Sequence, residues 1–152
     1  MVNGGRMFTP PAMQHLFRTD LGGQLRLLGY DLKPQTPNVK SQIELTLYWQ
    51  ATREMTSSLT VFTHIEGVQR HVWGQHDGPP AAGLKPTEQW LAGEVVADRH
   101  ILTLDPATPP GRYRLAVGMY DPITLMRLPS FDQSGQRWLD DSVFLQDIVV
   151  AR

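Results

Sequence analysis

At 152 residues the chain has the length of one domain and can bury roughly two-thirds of its unfolded surface without a covalent staple. Its 14 Lys and Arg offset 15 Asp and Glu to a formal charge of -1, and the basic residues are scattered singly, which argues against a nucleic-acid footprint or a polybasic membrane patch. Cysteine is absent, which excludes a disulfide framework, a thiolate metal site and a cysteine nucleophile.

The opening MVNGGRMFTPPAM is rich in Gly and Pro and lacks the apolar core of a signal peptide. Residues 1–20 are therefore expected to be a flexible lead-in or linker, of the kind that joins a domain to a longer protein, with 21–152 as a single β-sandwich domain. Within the lead-in only PAMQHLF, residues 11–17, suits a helical turn. No apolar run approaches the roughly 20 residues that cross a bilayer, so no direct membrane insertion is expected of this segment.

Strands then follow almost without interruption. Residues 24–32 form a first candidate, stopped by Lys33-Pro34. In 42–51, Ile43, Leu45, Leu47 and Trp49 alternate with Glu44, Thr46, Tyr48 and Gln50, the period-2 pattern of a half-buried strand. Residues 59–80 read as a hairpin, and 87–91 as a second helical turn with Trp90 plugging an end of the sandwich. Strands are expected at 95–104, at 112–120 with Tyr113, Leu115, Val117 and Met119 inward, at 126–128 and at 143–150. Turn signals separate them: Asp77-Gly78-Pro79-Pro80, Pro109-Pro110-Gly111, Asp121-Pro122 and Ser134-Gly135. About seven to nine strands at such spacing is the signature of an all-β, two-sheet antiparallel sandwich, immunoglobulin-like or jelly-roll.

The hairpin holds the densest set of recognition-type side chains. With Gly67-Val68 as a two-residue turn, Glu66 faces Gln69, His64 faces His71 and Phe62 faces Trp73. A four-residue loop over 67–70 puts His64 opposite Trp73. Either register groups Val61, Thr63, Ile65, Val72, Gly74 and His76 on one face, the expected core side, and Phe62, His64, Glu66, His71, Trp73 and Gln75 on the other. That second face reads as a ligand-binding platform, since Trp and Phe stack on flat apolar rings while His, Gln and Glu orient a ligand by hydrogen bonds. His64 and His71 with Glu66 also have the chemistry of a metal site. The structural alternative is that aromatic cross-strand pairs stabilise the sheet and the histidines are hydrogen-bonded.

Elsewhere the signals are thinner. Asp77, Asp121, Asp132, Asp140 and Asp141 resemble calcium ligands by type, but turn chemistry accounts for Asp77 before Gly and Asp121 before Pro, and no EF-hand spacing occurs. His100, alternating with Leu102 and Leu104, reads as a satisfied core-edge histidine. Arg112 and Arg114 read as a solvated face. Ser58, Ser130 and Ser134 show no nucleophile elbow, and no HExxH, GxGxxG or GxxxxGK[ST] is present. The residues therefore call for no catalytic group, no metal and no cofactor.

Taken as an ordered set, Leu28-Gly29-Tyr30-Asp31-Leu32, Leu45-Thr46-Leu47-Tyr48-Trp49-Gln50-Ala51, Val61-Phe62-Thr63-His64, Gln75-His76-Asp77-Gly78-Pro79-Pro80, Gly93-Glu94-Val95-Val96, Tyr113-Arg114-Leu115, Gly118-Met119-Tyr120-Asp121-Pro122 and Arg127-Leu128-Pro129 resemble an accessory β-sandwich domain. Such domains sit at the carboxyl end of bacterial membrane glycosyltransferases of the dolichyl-phosphate-mannose type. The family's hairpin turn usually reads like Asp-Pro-Asp-Gly, where this chain has Gly67-Val68-Gln69-Arg70, so the pairing register is left between the two alternatives. The resemblance implies an extracytoplasmic, non-catalytic module attached to a membrane protein, with a glycan or a protein as partner and the transferase chemistry elsewhere. It assigns no catalytic residue. The rival expectation is a structural spacer or oligomerisation domain in which Phe62 and Trp73 are simply core; a small hydrolase using a metal on His64 and His71 is a third.

Overall fold

A computed structural model describes residues 2–3, 5–34 and 38–151. Twelve strands appear in these residues: β1 (Val2–Asn3), β2 (Arg6–Met7), β3 (His15–Leu21), β4 (Leu25–Lys33), β5 (Asn38–Val39), β6 (Gln42–Ala51), β7 (Thr60–Glu66), β8 (Val72–Gln75), β9 (Val95–Thr103), β10 (Gly111–Tyr120), β11 (Ser130–Phe131) and β12 (Val143–Val150). They form one sheet in the order β1-β2-β9-β6-β4-β3-β11 and a second in the order β5-β12-β10-β7-β8. Pairing is antiparallel throughout, save the two-residue β5 beside β12. The only helical elements described are single 3₁₀ turns.

The strand order decides between the two expected sandwich types. The chain leaves β6, lays the β7–β8 hairpin in the opposite sheet, returns to pair β9 with β6, then crosses again to pair β10 with β7 and β12 with β10. This is the immunoglobulin-like arrangement, with the B–E pair in one sheet, C–F–G in the other, and β8 added beside C.

The alternation read from the sequence is what builds the core. Ile43, Leu45, Leu47 and Trp49 are all fully buried, and Leu115, Val117 and Met119 meet them from the facing sheet with Tyr113 at the rim. Each such aliphatic side chain contributes about 1.5–3 kcal/mol by leaving water. Trp90 closes one end as expected, its indole Nε1 donating to the Lys85 carbonyl at 2.8 Å. Beside it, the Thr87 hydroxyl donates to the Ser57 carbonyl and accepts from the Leu59 amide, joining two loops across the sheets.

Three expectations need correction. Among the described residues, 5–20 do not form a separate lead-in. Arg6 of β2 donates to the fully buried carboxylate of Glu94, the Gln14 side chain accepts from the Leu32 amide, and β3 begins at His15 and pairs with β4. A buried carboxylate needs a partner, and this one recruits Arg6 and Lys85 together. The proposed helical turn at 11–17 is therefore displaced by a strand, in which Phe17, Thr19 and Leu21 point inward. Lastly, 126–128 makes only a single bridge, Tyr120 with Arg127, and the strand lies at β11 instead.

Candidate functional site

The β7–β8 hairpin is where the sequence concentrated its candidates, and its turn determines where they go. Gly67 leads into a 3₁₀ turn at Val68–Arg70 in which Gln69 and Arg70 adopt positive φ angles of 54° and 60°. The Gly67 amide then donates to the His71 carbonyl at 2.8 Å. This turn is longer than either expected, so His64 pairs with Gln75 and Glu66 with Val72, leaving Trp73 in a bulge. A bulge re-aims the side chains it contains. The six residues expected on one platform are divided by it into two groups.

Phe62, His64 and Glu66 remain on the outer face of the second sheet, with Gln75 opposite His64. Val61, Thr63 and Ile65 face inward at 0 % exposure, as the alternation predicted. The outer group is not open, however. Phe62 is 1 % exposed, because the stretch after β10 folds back and sets the Arg127 guanidinium 4.2 Å above its ring. Below it lies Gly118, where a Cβ would stand 2.5 Å from the ring. Phe62 is therefore a packed residue and offers no face to a ligand.

His64 sits between two carboxylates, its Nδ1 3.5 Å from Glu66 Oε2 and its Nε2 3.5 Å from Asp77 Oδ1. These separations are long for hydrogen bonds, and the buried Nδ1 has no closer partner. Attraction between charges is thus the main link. Burial opposes the charge on His64, but Asp77 and Glu66 outweigh it and hold its pKa above the ordinary histidine value. Burial likewise opposes ionisation of Glu66 and Asp77, and His64 outweighs it in both, with help from Arg70 and Arg127 at Glu66 and from the Tyr120 hydroxyl at Asp77. Both carboxyls are held below their usual range.

His71 and Trp73 lie apart from this group, stacked edge to face with ring centroids 4.4 Å apart. The metal set of His64, His71 and Glu66 is thereby dismantled, since His71 no longer opposes His64. Trp73 instead walls a pocket of about 370 Å³ with Tyr113, Pro109 and Pro110, and His71 and Arg112 stand on its lining. Tyr113 is fixed there by donating its hydroxyl proton to the Pro109 carbonyl. Gly67 is required: a Cβ would meet Trp73 Nε1 at 2.8 Å and the Tyr113 ring at 3.0 Å.

A second set of polar groups was only partly legible in the sequence. Asp98 and His100, both essentially buried, face inward from β9. Asp98 Oδ2 accepts from Trp49 Nε1 at 3.1 Å and lies 2.7 Å from His100 Nε2, while its Oδ1 accepts from the Ala81 amide at 2.8 Å. His100 Nδ1 in turn lies 2.7 Å from Nδ1 of His76. The expectation of a satisfied core-edge histidine at 100 agrees with this geometry. The usable signal for Asp98 was its position on the Val96, His100, Leu102 parity of the strand, which places a charge in the core.

The remaining acidic candidates serve turns. Asp121 Oδ1 accepts from the Ile123 amide at 2.8 Å, Asp132 Oδ1 from Ser134 and Gln136, and Asp141 pairs with Arg137. The Ser130 hydroxyl donates to the Leu128 carbonyl and that of Ser134 to the Asp132 carboxylate two residues before it, so both are held in bonds local to their turns.

Fold and site together define an immunoglobulin-like β-sandwich domain with one aromatic pocket at the hairpin turn. No family model matches the chain, and no curated protein matches it. Among solved structures, a Niemann-Pick type C2 protein from Japanese carpenter ant is similar with a TM-score of 0.45 at 6 % identity, over 82 % of this chain and 91 % of that one. A likeness of that degree has no bearing on function.

Proposed function

We propose that this domain is a non-catalytic recognition module that takes a carbohydrate ring in the pocket beside Trp73. The observation that carries the reading is the wall of Trp73 and Tyr113 around about 370 Å³, with His71 and Arg112 to orient hydroxyl groups. Apolar walls with a few polar groups are the general design of a small-ligand site, and an indole face suits the C–H face of a sugar. The resemblance to accessory domains of membrane glycosyltransferases adds an extracytoplasmic placement and a glycan, free or lipid-linked, as occupant.

A glycan array probed with the wild type, with Trp73→Ala and with Arg112→Ala tests this. Binding by the wild type that is lost in Trp73→Ala and weakened in Arg112→Ala supports the module; no binding by the wild type overturns it. Because Trp73 also packs against the core, thermal unfolding of each variant is measured alongside.

The second reading, a structural spacer, is favoured by one observation: Phe62, the other aromatic of the expected platform, is buried. It predicts no ligand at all and unchanged behaviour of Arg112→Ala in every binding assay.

A further inference from the structure

The edge of the first sheet carries a cleft that the binding reading above does not use. It lies between β3 and the turn that follows β11, in two adjoining parts of about 350 Å³ and about 190 Å³ that share Arg18, Asp132 and Gln133. β3 is irregular here: Leu16 pairs with Gly29 and Thr19 with Leu27, so Phe17 and Arg18 together stand opposite one residue of β4. Successive residues of a regular strand point to opposite faces, but a bulge re-aims them, and Phe17 and Arg18 both line the cleft.

The wall of the cleft is aromatic and fixed in place. The rings of Phe17 and Trp138 stack with centroids 6.1 Å apart and planes 24° from parallel, and Trp138 Nε1 donates to the hydroxyl of the buried Thr19 at 2.9 Å. Both rings pack on the core yet stay partly open to water. Rings positioned in advance offer apolar surface to a ligand at little ordering cost.

Three charged groups line the cleft, and two of them are already matched. Asp132 Oδ1 accepts from the Ser134 hydroxyl at 2.6 Å and from the amides of Ser134 and Gln136 at 2.9 Å and 3.0 Å, which hold its carboxyl below the usual range; Oδ2 takes no part in these bonds. Asp20 lies 3.9 Å from Arg26. Arg18 has neither an ion pair nor a hydrogen bond among the described residues. The cleft thus presents one uncommitted guanidinium beside an apolar wall, with the Gln133 amide and Asp132 Oδ2 available to hydroxyl groups.

We propose that this cleft binds a sugar ring that carries a carboxylate, a uronate residue, with the C–H face of the ring on Trp138 and Phe17 and its carboxylate on Arg18. A planar guanidinium takes a carboxylate by two parallel N–H···O bonds, which orients the ring as well as holding it. A neutral hexose leaves Arg18 without a partner, and a plain aromatic acid leaves Gln133 and Asp132 without hydroxyl groups to meet. The uronate matches the whole lining. The cleft shares no lining residue with the Trp73 pocket and does not rest on the reading given for that pocket.

NMR titration of the full chain tests the site through the Trp138 indole N–H resonance. Methyl glucuronide and methyl galacturonide are the probes, with the corresponding neutral methyl glycosides, acetate and phenylacetate run beside them. A saturable shift is expected with at least one uronide, and affinity about tenfold or more lower in Arg18→Gln, the loss of a charge-assisted pair. Arg18 is exposed, so that variant keeps the fold, and Trp73→Ala is expected to leave the titration unchanged. No shift with either uronide overturns the proposal, as does full affinity in Arg18→Gln. Equal or tighter binding of the neutral glycosides, of acetate or of phenylacetate also overturns it, since the site would then read only the ring, only the charge or an aromatic acid.

Discussion

Two histidines on either side of one short segment meet carboxylates in different ways. At Asp98–His100 the contact is 2.7 Å, both groups are out of water, and every oxygen of the carboxylate has a named partner. At Glu66–His64–Asp77 the contacts are 3.5 Å and Asp77 is one-third exposed. The first is a hydrogen-bonded network that fixes geometry, because a low dielectric makes any unmatched group expensive. The second is a charge cluster of longer contacts, in which His64 and Glu66 are buried and only Asp77 reaches water. The same residue types thus act as a hydrogen-bonded lock in one place and as a longer electrostatic contact in the other, and contact distance is what separates them.

The comparison is broken most severely at Asp98. Asp98→Ala removes the acceptor of Trp49, His100 and Ala81 together and is expected to destabilise the fold by about 3–5 kcal/mol, read as the midpoint of chemical denaturation. A loss below about 1 kcal/mol would show that the network is not structural. Next comes Gly118→Ala, which pushes a Cβ against Phe62 and its Arg127 cover on the charged-cluster side. About 1–3 kcal/mol of overpacking cost is expected there, with the Phe62 ring resonances displaced in NMR spectra.

His64→Gln sharpens the comparison through pH. The raised pKa of His64 means its contribution is complete below the ordinary histidine value, near 6.5, and is lost as pH rises through the folded value. The lowered pKa values of Glu66 and Asp77 mean theirs is complete above the ordinary carboxyl range, near 4, and is lost on acidification through the folded values. Wild type should therefore exceed His64→Gln in stability chiefly between about pH 4.5 and about pH 6.5, by no more than about 1 kcal/mol, and the gap should close as pH rises through the raised folded value of His64. A gap that widens with rising pH contradicts the sign of these shifts. The smallest effect is expected at Leu16→Ser, on the outer face of β3 at 84 % exposure, where stability should stay within about 0.5 kcal/mol.

Much of the scaffold was open to reading in advance, for reasons that differ from strand to strand. β6, β9, β10 and β12 came close to their final bounds because each has one apolar and one polar face, so period-2 alternation reports burial directly. β3 did not. Its sequence HLFRTDL has Leu16 outside and Thr19 inside, and it is a strand because β4 and Trp138 are there to pair and pack with it, Trp138 donating to the Thr19 hydroxyl. The hairpin site was half legible. Composition marked the right segment and the right inward face, but the turn conformation at Gln69 and Arg70 depends on their surroundings, and it moved His71 and Trp73 away from Phe62 and His64.

The amino-acid order alone determined that the chain is all-β, where its core strands run and which side of them is apolar, because those properties follow from local pattern. Only the tertiary structure decided the immunoglobulin-like strand order, the bulge that carries Trp73 to its pocket, the burial of Phe62 beneath Arg127, and the meeting of His76 with His100 across two sheets. Each of these joins residues distant in sequence. Their geometry is set by how the sheets pack, which no local window of the chain contains.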